Sequence, residues 1–231
     1  MLALFPEGFE EAERDGEFEL SAYTDERGEA RMSAVFGSVA ATDVPADWEE
    51  RWKHFHRPVR AGPIWIVPPW EQAPEDEDSI TIDPGRAFGT GAHPTTRLCL
   101  EIVSELEPGS LVDVGCGSGV LAIAAAKLGF DPVIGLDSDP HAIAAAQANA
   151  EANGIELDLR RTDARVDPLP KTDVGVANIN EELVAAVGPR LECARLVTSG
   201  YFEPHVPRLP GFHLIARRRL EGWAADLHGR E

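Results

Sequence analysis

The sequence predicts an α/β fold, a doubly wound and mostly parallel sheet preceded by a small N-terminal α+β unit. Two observations predict it. From residue 80 onward, short apolar runs alternate with amphipathic or alanine-rich stretches, as strands alternate with crossover helices. Two glycine-rich segments, DPGRAFGTGAHPTT (83–96) and GCGSG (115–119), flank the first of those helical stretches. Neither segment has the composition of a helix interior or a central strand, so both are loops.

Residues 1–43 form the small unit. EFELSAY (17–23) alternates like a half-buried strand, and RMSAVFGSVAATDV (31–44) reads as a short helix running into a strand. Residues 44–79 are a linker segment rich in Trp and Pro, holding Trp48, Trp52, Trp65 and Trp70. Within it IWIV is a strand and EDED (75–78) a solvated loop. So many aromatic rings imply packing against the main domain.

That domain spans residues 80–231. Pro94 to Leu106 is its first helix, with Thr95 and Thr96 near the start. SLVDVG is an apolar strand, and Ser118 to Leu128 is a helix stopped by Gly129. PVIGLD (132–137) is the next strand, and Pro140 to Asn153 an alanine-rich helix closed by Gly154. ELDLRRTD, TDVGVANI and ARLVTSGYF are further strands, with ELVAAVGPRLEC a helix between the last two. GFHLIARRRLEGWAADLH is a closing hairpin.

Composition narrows the function classes. A formal net charge of −19 repels nucleic-acid phosphates and attracts basic partners. No apolar run is long enough to span a bilayer, and the acidic N-terminus is unlike a signal peptide. Cys99, Cys116 and Cys193 are odd in number and lack C-x-x-C spacing, so neither a disulfide framework nor a metal site is expected. Free thiols fit a reducing cytoplasm.

In such a sheet a ligand binds at the carboxyl ends of the strands, beside the switch point. GCGSG follows the first strand, and its glycines, Gly115 and Gly117 among them, allow close backbone approach at a helix N-terminus. Asp137 ends the next strand, about 20 residues on, where a carboxylate grips the ribose hydroxyls of an adenosine. The glycines alone leave a nicotinamide dinucleotide and S-adenosylmethionine (AdoMet) both open. The 83–96 loop ends at a helix start close to this site. There Phe88 can shield a pocket, and Thr95 and Thr96 can offer hydroxyls to an anion. His93 reads as a structural residue rather than a base.

Asp113 begins the string D-x-G-x-G-x-G, which resembles the first motif of Rossmann-like class I AdoMet methyltransferases. There the acidic residue helps to position the methionine part of the cofactor. FGTGAHPTT, DVGCGSGVLAIAAAKLG, LDSDPHAIAAAQANAEANG and VGVANI together resemble the ribosomal protein L11 methyltransferases, the PrmA family, as does the upstream WEERWKHFHRPVRAGPIWIVPPWE. The resemblance covers residues 45–200 or so. It implies AdoMet contacts at Thr96, Gly115, Asp137 and Asn178, and a basic ribosomal protein as substrate. Two departures stand out. The family usually reads Asn-Ile-Leu where this chain reads Asn178-Ile179-Asn180, and the unit that grips the ribosomal protein is shortened here.

The expected chemistry is methyl transfer to an amine. A lysine must first lose its proton, and a water-poor pocket lowers its pKa. Asn178, the expected catalytic residue, would accept an N–H from the amine and aim its lone pair at the methyl. The alternative reading is a methyltransferase of the same fold acting on another protein or a small amine.

Overall fold

The computed structural model of the chain describes residues 10–14, 17–21, 26–37, 39–40, 56–83 and 91–231. Two compact units divide after Arg51. In the first, β1 (Glu10–Arg14) and β2 (Glu17–Ser21) pair antiparallel, and α1 (Glu26–Phe36) follows. The strand at 17–23 is present, shortened by two residues. The helix begins earlier than its expected start at 31 and ends at Gly37, whose φ of +84° suits glycine. The strand expected to follow it runs into residues 41–44, outside the described residues.

The second unit opens with a three-stranded sheet of β3 (Val59–Ala61), β4 (Ile64–Val67) and β5 (Ser79–Thr81). β4 is the expected IWIV strand. Ile64, Ile66, Ile80 and Ile82 are buried in one cluster with Leu98 and Val103, so residues 56–82 help to build the main core.

A seven-stranded sheet follows: β6 (Leu111–Val114), β7 (Val133–Asp137), β8 (Asp158–Arg161), β9 (Val174–Asn178), β10 (Arg195–Phe202), β11 (Phe212–Leu220) and β12 (Trp223–Arg230). Their spatial order is β11-β12-β10-β9-β6-β7-β8. The run from β10 through β8 is parallel; β12 lies antiparallel to β10 and pairs with β11 as the expected hairpin. The order reverses between β6 and β9, which opens a crevice at their carboxyl ends.

Both faces of this sheet are covered, which is why its central strands read as unbroken apolar runs. Leu111, Val174, Val176 and Val197 face α2 (Pro94–Val103) and α3 (Val120–Lys127), with Ala150 of α4 (Pro140–Ala152). Val112, Val114, Ile134, Leu136 and Leu196 face α5 (Glu181–Val187) on the other side. The small side chains of α3 let it lie close to its neighbours. The expected helix over ELVAAVGPRLEC stops at Val187 and becomes a 3₁₀ turn, Gly188–Arg190, because Pro189 has no N–H for the helical ladder.

Local signals set the helix starts. Asp139 caps α4 by accepting the His141 N–H at 2.8 Å, and Pro140 takes the first helical position. Asn180 caps α5 through the Leu183 N–H at 2.9 Å. The hairpin is held by a buried polar knot. Arg217 on β11 forks onto Asp226 of β12, with both N···O distances 2.6 Å, and the Tyr201 hydroxyl donates to the same carboxylate at 3.0 Å. Asp226 is fully buried. Removing one partner strands the other charge, so Asp226→Ala is expected to lower unfolding stability by about 3–5 kcal/mol in urea titrations. A loss below about 1 kcal/mol would mean that the knot contributes little.

Candidate functional site

The first strand exit dictates its own residue type. Gly115 follows β6 with φ +72°, and a Cβ there would lie 2.4 Å from Ile179 Cγ2. Only glycine therefore lets the β6 and β9 exits approach one another. Asp137, at the end of β7, fastens the loop: its Oδ2 accepts the Gly117 N–H at 3.0 Å, and its Oδ1 accepts the Asp139 N–H at 2.9 Å. Each oxygen keeps a lone pair for a further donor.

The third strand exit carries Asn178. Its amide nitrogen donates to Thr96 Oγ1 at 3.4 Å, a contact spanning 82 residues of sequence. Committing the nitrogen to Thr96 leaves the amide oxygen as the end that can accept a proton-bearing group. Thr96 lies in the first turn of α2. The N–H groups of Thr96 and Arg97 bond the His93 carbonyl, while the Thr95 N–H and hydroxyl both meet His93 Nδ1, at 3.4 and 2.8 Å. These first-turn donors are thus engaged within the chain. His93 acts as a helix cap, and burial lowers its pKa, opposed by the charge of Glu221. As an acceptor at Nδ1, it is the neutral ring protonated at Nε2.

These groups surround one cavity of about 580 Å³, within the usual range for small-ligand sites. Thr96, Gly115, Gly117, Asp137 and Asn178 all line it. Phe88 lies outside the described residues. Cys116 also lines it, but burial, aided by the charges of Asp113 and Asp137, pushes its thiol pKa up, so it is no nucleophile.

Several lining residues escaped the sequence reading. Trp223, on β12, forms a wall, its ring edge-on to His93 at 4.7 Å and stacked on Phe202 at 4.3 Å. Gly200 sits at a bulge in β10, where a Cβ would lie 1.5 Å from the Ile179 carbonyl oxygen. A lone glycine inside a strand is itself a bulge signal. Asp163, beyond β8, is forked by Arg165 at 2.9 and 2.8 Å, which holds its carboxyl at about 2.

Comparison with known proteins identifies the family. The model of the family described as ribosomal protein L11 methyltransferase (PrmA) matches residues 10–203. The chain belongs to this family. It is 41% identical over 197 residues to the ribosomal protein L11 methyltransferase of Cupriavidus taiwanensis, covering 79% of this chain and 65% of that protein. It is 48% identical over 139 residues to that of Haemophilus influenzae, covering 58% and 47%. The chain thus spans between about half and two thirds of the curated relatives it matches. A crystal structure of the ribosomal protein L11 methylase from Lactobacillus delbrueckii subsp. bulgaricus shares 31% identity and a TM-score of 0.69, over 76% of this chain and 99% of that one.

Two PrmA-motif positions take on a different meaning in three dimensions. Asn180, where the family usually has Leu, caps α5 while lining the cavity, so its side-chain oxygen has a structural job. Asp113 does not line the cavity. It lies beneath the glycine loop, 1% exposed, and neither carboxyl oxygen has a hydrogen-bond partner. That position is on the α2–α3 face of the sheet.

Burial raises the Asp113 carboxyl to about 7, with the Asp137 charge adding to it and the Ala122 N–H opposing it without making a hydrogen bond. Unfolded, the same group ionises near pH ~3.9. Between those values the folded chain binds more protons than the unfolded one, so stability falls as pH rises and levels off above the folded pKa. Asp113→Asn should remove that slope. Expected is a variant more stable than wild type at pH 8, with the gap closing towards pH 4, measured by urea unfolding across pH. Parallel curves for the two proteins would refute a protonated Asp113.

Proposed function

We propose that the chain is an AdoMet-dependent protein N-methyltransferase acting on amino groups of ribosomal protein L11. The observation that carries this is the convergence of Gly115, Asp137 and Asn178 on one cavity at the switch point, in a chain of the PrmA family. The residues fit AdoMet. Asp137 is presented with lone pairs for the two ribose hydroxyls. Gly115, at positive φ and without a Cβ, presents bare backbone at the cavity wall. Thr96 carries a hydroxyl proton to donate even while accepting from Asn178.

When bound, AdoMet supplies an electrophilic methyl on its sulfonium. The protein's part is alignment and the exclusion of water. An entering lysine loses solvation against Trp223 and His93, which favours its neutral form. The Asn178 oxygen, fixed because Thr96 holds the other end of the amide, accepts an N–H from the amine and sets the lone pair in line. The proton lost from nitrogen leaves to solvent, so no dedicated base is needed, and the neutral, capping His93 fits that. An acidic chain suits a basic ribosomal protein, since complementary charge speeds encounter. The same charge disfavours ribosomal RNA, so the substrate is the free protein before assembly, and the setting is the cytoplasm. Among the described residues no helix is long and apolar enough to cross a membrane.

Asn178→Ala should lower turnover by about 10²-fold, the cost of misaligning a reacting group. Thermal stability should stay close to wild type, and equal losses of both would assign Asn178 to the fold instead. The substrate itself is tested by intact-mass measurement of L11 after incubation with the chain and AdoMet. Mass gains in steps of one methylene are expected, faster on free L11 than on assembled large subunits. No gain while AdoMet still binds would point to another protein or a small amine.

A further inference from the structure

Asn149 in helix α4 and Asn153, the residue that caps its C-terminus, stand four residues apart, and both reach the same stretch of backbone. Asn153 accepts the Thr81 N–H at 2.8 Å and donates to the Thr81 carbonyl at 2.7 Å. Asn149 accepts the Asp83 N–H at 2.9 Å and donates to the Asp83 carbonyl at 3.4 Å. Thr81 and Asp83 are alternate residues of an extended chain, so their N–H and C=O groups point to the same side. Two side-chain amides thus stand in for a neighbouring strand beside the end of β5.

Asn149 does one thing that Asn153 does not. Its amide nitrogen also donates to the carbonyl of Ser118, in the glycine loop, at 2.9 Å. The second bond of the Asn153 nitrogen goes to its own helix, the Asn149 carbonyl at 2.7 Å. Asn149 is 3% exposed and Ser118 fully buried, so water does not replace these bonds. Ser118 follows Gly117, whose N–H is held by Asp137. A continuous path of hydrogen bonds and backbone therefore runs from Asp83 through Asn149 and Ser118 to the carboxylate at the cavity.

We propose that Asn149 is a positioning residue of the cavity, fixing the glycine loop against residues 81–83 so that Gly117 and Asp137 are set for a ligand. Its bearing on AdoMet rests on the function proposed above, whereas the coupling of the two loops does not. The obvious replacements fail for stated reasons. Aspartate has no N–H for the Ser118 and Asp83 carbonyls, and alanine leaves the carbonyl of buried Ser118 without that donor.

Asn153 provides the internal control, since it makes the same strand-like pair without touching the glycine loop. The experiment compares wild type, Asn149→Ala and Asn153→Ala as full chains. Hydrogen exchange is measured with no ligand present, and AdoMet affinity by titration calorimetry. In Asn149→Ala, exchange should rise about tenfold in residues 81–83 and in Gly117–Gly119 together, and the AdoMet Kd should rise about tenfold, equivalent to 1.4 kcal/mol. In Asn153→Ala, exchange should rise beside Thr81 alone, with Kd within about twofold of wild type. The proposal is overturned if the glycine loop keeps its protection in Asn149→Ala, or if the two variants shift Kd equally. Wild-type chain that binds no AdoMet would sink the cofactor reading, and the exchange data would still decide the coupling.

Discussion

Ile179 occupies the point on which the site's geometry depends. It follows the last residue of β9, and two neighbouring strand exits press against it. A Cβ on Gly115 would strike its side chain at 2.4 Å, and one on Gly200 would overlap its carbonyl oxygen at 1.5 Å. The first contact belongs to the β6 exit and the second to a bulge in β10. β6 and β10 can therefore crowd the end of β9 only because each offers glycine where a side chain would stand. That closeness brings Asn178 into the same cavity as Gly115. The two glycines have positive φ as well, so backbone sterics and packing select the same residue.

Around this point the polar groups divide into two kinds. Those facing the cavity are already tethered: Asp137 by two backbone N–H groups, Asn178 by Thr96, His93 by Thr95. Tethering before a ligand arrives removes rotamer entropy that binding would otherwise lose. Asp113 is of the other kind, buried without a hydrogen-bond partner, its carboxyl pushed up to about 7 by burial. An apolar residue of similar size there would fold more securely, so the carboxyl sits at a cost of the kind found beneath functional loops. Tyr201 and Asp226 are also buried but paired, with each other and with the half-buried Arg217.

How much was legible in the sequence depends on distance along the chain. The glycine loop and Asp137 lie within one strand–helix–strand unit, so spacing alone placed them together. The β6 run LVDV was bounded by Pro-Gly-Ser and Gly and read correctly as a strand. Asn178 meets Thr96 across 82 residues, and only the family resemblance joined them. Trp223 was hidden because it belongs to a closing hairpin whose β12 is inserted antiparallel beside β10, a topological fact that no local pattern carries. Asn149 and Asn153 were hidden for another reason. In an alanine-rich helix an asparagine looks like solvent-facing filler, and its partners are backbone atoms, which leave no trace in side-chain pattern.

The helix starts bear on the same cavity. α2, α4 and α5 begin with side-chain caps from His93, Asp139 and Asn180, whereas α3 begins at Gly119 with none. Glycine there is a packing choice: a Cβ would stand 3.0 Å from that of Ala146, so any capping side chain would push α3 away from α4. The first turn of α3 lines the cavity through Val120 and Leu121, while its Ala122 N–H acts on the buried Asp113 carboxyl. Close packing of two alanine-rich helices thus decides which residue can stand at the start of α3 beside the cavity.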